Sequence, residues 1–161
     1  MSRADRSSEV RAKKFTEDET SMASKLKYDT IKVGDPIPTI KIDNVSRPDF
    51  VRYAGASGDF VPLHYDQTFV EAAGIPTVFA QGMWTAGCLS RCLTDFAGAG
   101  QVRHFKVRFA RQVWPGDTLT CRGTVTAKNE ANGEKLVEGE LEVVNQKGEA
   151  TVKGAFRVAA A

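Results

Sequence analysis

Gly82-Met-Trp-Thr-Ala-Gly-Cys-Leu-Ser-Arg-Cys-Leu-Thr-Asp-Phe96 is the most apolar helix candidate in the chain, and its reading decides the fold. Its apolar residues surround nearly the whole circumference of a helix, so the segment is expected to be buried on most sides. Gly98 and Gly100 end it. Thr85, Ser90 and Arg91 interrupt it, and no apolar run in the chain reaches the roughly 18 residues that a membrane span needs.

On its C-terminal side the pattern changes from helical to alternating. Four strands are expected, over Val102–Val113, Thr118–Lys128, Lys135–Asn145 and Ala150–Val158. Pro115-Gly116-Asp117, Asn132-Gly133 and Lys147-Gly148 mark the turns between them. Phe105, Val107 and Phe109 share one face of the first strand, and His104, Lys106 and Arg108 share the other. On the N-terminal side a short strand is expected over Ile37–Ile42. A helix follows, with Ser46 as N-cap, Pro48 early in it and Asp49 in its first turn, ending near Gly55 to Gly58. Asp66 is placed to cap a second short helix through Ala73, which Gly74 and Pro76 stop. Helices clustered before a run of antiparallel strands argue for an α+β layer fold. A single antiparallel sheet wrapped around the long central helix satisfies that helix's apolarity, and this is the hot-dog arrangement.

With 161 residues the chain suffices for one ordinary domain, and 42% hydrophobic against 26% charged residues fits a soluble globular protein. Residues 1–27 are rich in charge and poor in apolar side chains, so they are expected to form a flexible tail ahead of a domain over 28–161. That tail has no apolar stretch of the secretory-leader kind, and the expectation is a cytoplasmic protein. A net charge of +2 is too near balance to argue for nucleic acid, and no membrane partner is expected. Cys88, Cys92 and Cys121 make no framework of pairs, and His64 and His104 are the only histidines, so neither disulfides nor a metal or other cofactor are expected.

Chemistry is concentrated in Tyr53-Ala-Gly-Ala-Ser-Gly-Asp-Phe-Val-Pro-Leu-His-Tyr-Asp66 and in Ala80-Gln-Gly-Met-Trp84. Asp59 and His64 lie five apart with Pro62 between them, and Pro62 stiffens the loop and holds Val61 extended. A carboxylate and an imidazole flanking one water form an acid/base pair, although such spacing also suits a turn-stabilising contact. Gly82 stands where the long helix begins. There the backbone N–H groups lack internal partners and can stabilise developing negative charge, although a glycine opening a helix also serves purely steric ends.

Ser57-Gly-Asp-Phe-Val-Pro-Leu-His64 resembles the hydratase motif of MaoC-like proteins, usually S-G-D-x-N-P-(I/L)-H. Ala80-Gln-Gly-Met83 is similar to that family's A-H-G-M, and Val113-Trp-Pro-Gly-Asp117 to a later turn before a strand. The resemblance covers roughly Tyr28 to Val158. It implies a lyase of fatty-acid-type metabolism that interconverts trans-2-enoyl and (R)-3-hydroxyacyl thioesters. Asp59 and His64 would act on the water, and the Gly82 N–H would bind the thioester carbonyl. It also implies an acyl-CoA or acyl carrier protein substrate and a homodimer with sheets joined edge to edge, or a heterodimer with another hot-dog subunit. A site serine eight positions after the glycine falls on Ser90, whose hydroxyl is equally suited to bonding the preceding helical turn. Two positions depart from the pattern. Val61 replaces the usual Asn and Gln81 replaces a frequent His, so both are candidate substrate-contact positions, with Trp84 as a further candidate lining an acyl pocket.

Two rival functions share this fold: a non-catalytic subunit that binds acyl thioesters or partners an active one, and a thioesterase. Lys106, Arg108 and Arg111 are the candidates for phosphate contacts, against the plainer reading of a solvated strand face. Asp66, Asp95 and Asp117 read as cap, helix-end and turn residues.

Overall fold

The computed structural model describes residues 26–161. The expected tail therefore lies outside the described residues, apart from Leu26 and Lys27. Leu26 is already part of the buried core, and its carbonyl accepts the Ala161 N–H.

Five strands form one antiparallel sheet in the order β1-β3-β4-β5-β2. They are β1 (Ile40–Ile42), β2 (Val102–Phe109), β3 (Leu119–Ala131), β4 (Glu134–Val144) and β5 (Ala150–Ala160). Helices α1 (Arg47–Ser57) and α2 (Gln67–Ala72) precede the long helix α3 (Gly82–Ala97), which touches all five strands. This is the expected curled sheet with its central helix. The β3–β4 hairpin turns on Asn132 and Gly133, both at positive φ, the conformation that a two-residue Asn-Gly turn requires.

Three expectations need correction. The first strand is shorter than Ile37–Ile42 and pairs only over Ile40–Ile42. Pro36 and Pro38 have no N–H to give a ladder, so the segment is held instead by an isolated Pro36–Thr124 bridge and by the Ile37 N–H on the Gly123 carbonyl. The second expected strand stops at Phe109 rather than Val113. The Ala110 and Arg111 N–H groups both fall on the Thr151 carbonyl, which breaks the alternating ladder. Finally, α3 buries one stripe rather than its whole surface. Thr85, Ala86, Leu89, Cys92, Leu93 and Ala97 face the sheet, while Met83, Gly87, Arg91 and Asp95 are exposed, the last two as an ion pair at 3.6 Å. Among the described residues the strands cover one side of the helix and α1 meets it through Phe50 and Trp84, which leaves the Met83, Gly87, Arg91 and Asp95 stripe exposed.

Helix α1 begins as its sequence indicates. The Asp49 carboxylate accepts both the Ser46 N–H (2.9 Å) and the Ser46 hydroxyl (2.6 Å), and Arg52 lies 3.0 Å from its other oxygen. The Ser46 hydroxyl, above all, holds the Asp49 carboxyl below its ordinary value of 3.8. Cα-only residues recur where strands close on one another: a Cβ at Gly139 would overlap the Thr124 carbonyl and the Phe156 ring, which are its cross-strand neighbours.

Gly139→Ala is therefore expected to lower unfolding stability by about 1–3 kcal/mol, the usual cost of overpacking, as measured by denaturant titration. Asp49→Ala is expected to cost about 1 kcal/mol at neutral pH through the lost cap. A carboxylate whose folded pKa is depressed stabilises above its unfolded value and stops doing so as pH falls through the folded one. The gap between Asp49→Ala and the parent should then close as unfolding is measured below pH 3.8. A gap that stays constant with pH would show that the cap contributes no charge-dependent stability.

Candidate active site

The loop between α1 and α2 is shaped by its own backbone. Gly58 ends α1 at positive φ, and its N–H returns to the Ala54 carbonyl. The Ser57 hydroxyl accepts the Asp59 N–H at 3.2 Å, and Asp59 Oδ1 accepts the Val61 N–H at 3.4 Å. One carboxylate oxygen is thus engaged with the loop and the other, Oδ2, is left for its neighbours. Pro62, Leu63 and His64 then form a single 3₁₀ turn that delivers the His64 ring into the protein, where it is buried.

His64 Nδ1 lies 2.7 Å from the Phe79 carbonyl. A carbonyl only accepts, so Nδ1 carries the proton, and in the neutral ring Nε2 presents a lone pair. Nε2 is 3.9 Å from Asp59 Oδ2. That is too long for a hydrogen bond, but a single water oxygen can lie within hydrogen-bond reach of both atoms. The structure thus brings together the two residues that the motif singled out.

Phe79 also leads to the third residue, three positions on. Its N–H reaches the Leu63 carbonyl (3.3 Å), and its ring meets the His64 ring edge-on (5.4 Å) and the Trp114 ring (5.6 Å). The Ala80 N–H reaches the Val113 carbonyl (2.9 Å), after which Gly82 opens α3. Among the described residues no acceptor takes the Gly82 N–H. The φ of Gly82 is ordinary, so the absent side chain serves space: a Cβ there would stand 3.1 Å from the Phe109 ring. Gly82 lines a cleft of about 330 Å³ together with Phe79, Thr85, Phe109, Arg111 and Val113. On the other side of the loop, Val51, Ala54, Phe60 and Tyr65 line a second, almost wholly apolar recess of about 350 Å³.

The remaining candidates fall elsewhere. The exposed Val61 side chain stands next to the apolar recess in sequence. Gln81 is fully buried; its Nε2 donates to the Phe50 carbonyl (3.1 Å), and its Oε1 has no partner. Trp84 packs edge-on against Phe50 and lines a shallow hollow with Asp49, Arg52 and Tyr53, away from the cleft. The Ser90 hydroxyl donates to the Gly87 carbonyl (2.8 Å) on its own helix. Of the three basic candidates only Arg111 borders the cleft, 3.9 Å from Glu149. Asp66 caps α2 through the Phe69 N–H, Asp95 pairs with Arg91, and Asp117 accepts the Trp114 N–H across its turn. The cysteines are free, and burial pushes the Cys88 thiol up to about 11, so it is neutral at ordinary pH. Among the described residues no cluster of His, Cys, Asp and Glu could hold a metal, and no helix is long and apolar enough to cross a membrane. Phe79, Phe109 and Thr85 are among the cleft residues that the sequence reading missed, and Phe79 carried no local signal at all. Phe109 was read only as an apolar strand position and Thr85 only as an interruption of an apolar helix.

The family model for the MaoC like domain matches residues 29–147. The fatty acid synthase subunit beta of Aspergillus oryzae is 34% identical over 122 residues, covering 63% of this chain and 6% of that protein. The (R)-specific enoyl-CoA hydratase of Rhodospirillum rubrum is 32% identical over 101 residues, covering 62% of this chain and 69% of that protein. The chain thus spans a small fraction of the synthase subunit but compares in size with the hydratase. Among solved structures, the unliganded R-hydratase PhaJ1 from Pseudomonas aeruginosa matches with a TM-score of 0.74 at 25% identity, over 86% of this chain and 87% of that one. A family match over most of the chain, together with this fold, shows that the chain belongs to the MaoC-like hydratase and dehydratase family of fatty-acid metabolism.

Proposed function

We propose that this protein adds water to trans-2-enoyl thioesters to give (R)-3-hydroxyacyl thioesters, or catalyses the reverse dehydration. The observation that carries this reading is the 3.9 Å gap between Asp59 Oδ2 and His64 Nε2, with Nδ1 already committed to a carbonyl. A water in that gap donates one proton to each acceptor and keeps a lone pair free. In hydration that lone pair forms the C3–O bond while the C2–C3 double bond opens toward the thioester. One water proton passes to the Asp59/His64 pair, and a proton from the pair completes C2. Between these events negative charge rests on the thioester oxygen, where the Gly82 N–H at the start of α3 would hold it. Dehydration runs the same steps backwards.

Arg111, at the rim of the cleft, is the group suited to meet a phosphate of coenzyme A or of a carrier protein's pantetheine arm. Among the described residues strand β2 pairs only with β5, so its other edge offers an eight-residue ladder to a second chain. A homodimer joined edge to edge through β2 fits this. The exposed α3 stripe of Met83, Gly87 and Arg91 would also gain from a partner's cover. A mass near twice the chain's 17.5 kDa is expected from light scattering.

The direct test is turnover of crotonyl-CoA and longer enoyl-CoAs, followed as loss of the conjugated thioester absorbance. Asp59→Asn and His64→Ala should each lower kcat by about 10²–10⁴-fold, the usual worth of a general acid or base, with the fold intact by circular dichroism. Retention of most activity by either variant would remove that residue from the reaction. Turnover that appears only after adding another hot-dog subunit would instead make this chain a partner subunit. Release of free thiol without a 3-hydroxyacyl product would make it a thioesterase.

A further inference from the structure

We propose that the Thr85 hydroxyl is a second hydrogen-bond donor to the thioester carbonyl oxygen, acting beside the Gly82 N–H. The inference rests on the enoyl-thioester reading above and adds a substrate-binding residue to it.

Thr85 is only 2% exposed, yet it lines the same cleft as Gly82. Side chains on a helix lean toward its N-terminus, and residues three apart share a face, so the Thr85 side chain lies over the turn that Gly82 opens. A hydroxyl in a helix ordinarily donates to a carbonyl of the preceding turn. The other two hydroxyl residues of α3 do so: Ser90 bonds the Gly87 carbonyl (2.8 Å) and Thr94 the Arg91 carbonyl (3.1 Å). Thr85 has no such bond. The carbonyl four residues back, on Gln81, is already taken by the Trp84 N–H (3.1 Å) and the Thr85 N–H (3.4 Å). Among the described residues the Thr85 hydroxyl thus has no protein partner, and it is not sealed off, since the Gln81 oxygen is the one fully buried side-chain atom left without a partner there; a group in the cleft that Thr85 lines can reach it.

The chemistry of the cleft selects what that something is. Gly82 supplies an unpaired N–H at the positive end of a 16-residue helix. Phe109, Val113 and Val152 supply the apolar part of its walls, beside the polar Arg111 and Gln112. Two donors lining one cleft, one helical turn apart on the same face, suit an oxygen that gains charge during reaction, and a thioester oxygen passing to an enolate is such a group. Two donors hold it more firmly than one, and the second acts most strongly when the charge is greatest.

The test compares Thr85→Val, which keeps the shape and removes the hydroxyl, with Thr85→Ser, which keeps the hydroxyl. Crotonyl-CoA turnover and calorimetric binding of butyryl-CoA, which cannot be hydrated, are both measured. Thr85→Val should lower kcat at least about tenfold with a smaller effect on KM, since the lost bond matters most in the transition state. Its thermal midpoint should stay close to the parent's, because the hydroxyl makes no bond within the described fold. Thr85→Ser should keep kcat well above that of Thr85→Val, because the donor hydroxyl is retained. Thr85→Val with kcat within about twofold of the parent, or Thr85→Ser impaired as severely as Thr85→Val, would overturn the proposal, because a single working donor is worth more than that. If Thr85→Val fails to fold, Thr85→Ala replaces it under the same expectation. A parent protein that does not turn over crotonyl-CoA defeats the water-addition reading alone, and butyryl-CoA then decides. Weaker binding to Thr85→Val than to Thr85→Ser supports the hydroxyl as a thioester donor. Equal affinity, or no binding to the parent, overturns it.

Discussion

The bond from His64 Nδ1–H to the Phe79 carbonyl, 2.7 Å long, is the contact on which the candidate site depends. It sets the tautomer of the ring, so that the bare nitrogen is the one facing Asp59. It also fastens the loop after α1, which carries Asp59 and His64, to the segment that enters α3. Without it the ring could rotate, and the 3.9 Å spacing to Asp59 would no longer be defined. The bond holds because Phe79 is itself fixed on three sides, by the Leu63 carbonyl, by the Ala80–Val113 contact that follows it, and by edge-on packing of its ring between His64 and Trp114.

The sheet supplies the rigidity behind that contact. Helix α3 lies across all five strands, and its buried stripe ends where the cleft begins. The strands can curl tightly enough to hold it because glycine stands where backbones approach. Cβ atoms at Gly123 and Gly154, which flank Leu141 in register, would meet the carbonyl oxygens of Glu140 and Lys106 at 2.5 and 2.6 Å. Phe109, at the end of β2, closes over Gly82 from the sheet side. The cleft is therefore built jointly by the start of a helix and the end of a strand, two elements held apart in sequence but packed together by the curl.

Much of this was legible beforehand, for identifiable reasons. The Asn132-Gly133 turn, the Asp66 cap, the Ser46/Asp49 start and the boundaries of α3 are local signals, set by residues within a few positions of one another, and the structure has them where the sequence puts them. The motif likewise marked Asp59, His64 and Gly82, and the fold brings the first two together. What the sequence could not convey was contact between distant segments. The early end of β2 depends on a carbonyl of β5 accepting two N–H groups, and the proximity of Phe109 to Gly82 depends on sheet curvature. Burial of α3 was overestimated because circumferential apolarity counts Gly87, Met83 and Trp84 as core, whereas the sheet reaches only one side. Thr85 escaped notice because its significance lies in a bond it does not make, which is visible only against Ser90 and Thr94.

The two departures from the family motif differ in consequence, and burial is what separates them. Val61 keeps the part of its position that shapes the loop, since the contact to Asp59 Oδ1 comes from its backbone N–H and any residue except proline could make it. Its exposed side chain instead extends the apolar surface begun by Phe60 and Tyr65, so the change bears on what lies against the loop rather than on the loop's form. Gln81 is the reverse case. It is enclosed, and its amide ties the Phe50 carbonyl of α1 to the residue just before Gly82. An imidazole in the same place could also donate there, so the tie between the two helices survives the exchange. What the amide adds is a buried oxygen with no partner, a cost of about 1–3 kcal/mol by the usual measure. A chain that tolerates this cost directly under its candidate carbonyl-binding turn retains the α1–α3 tie at the expense of stability, and that tie helps set where the Gly82 N–H points.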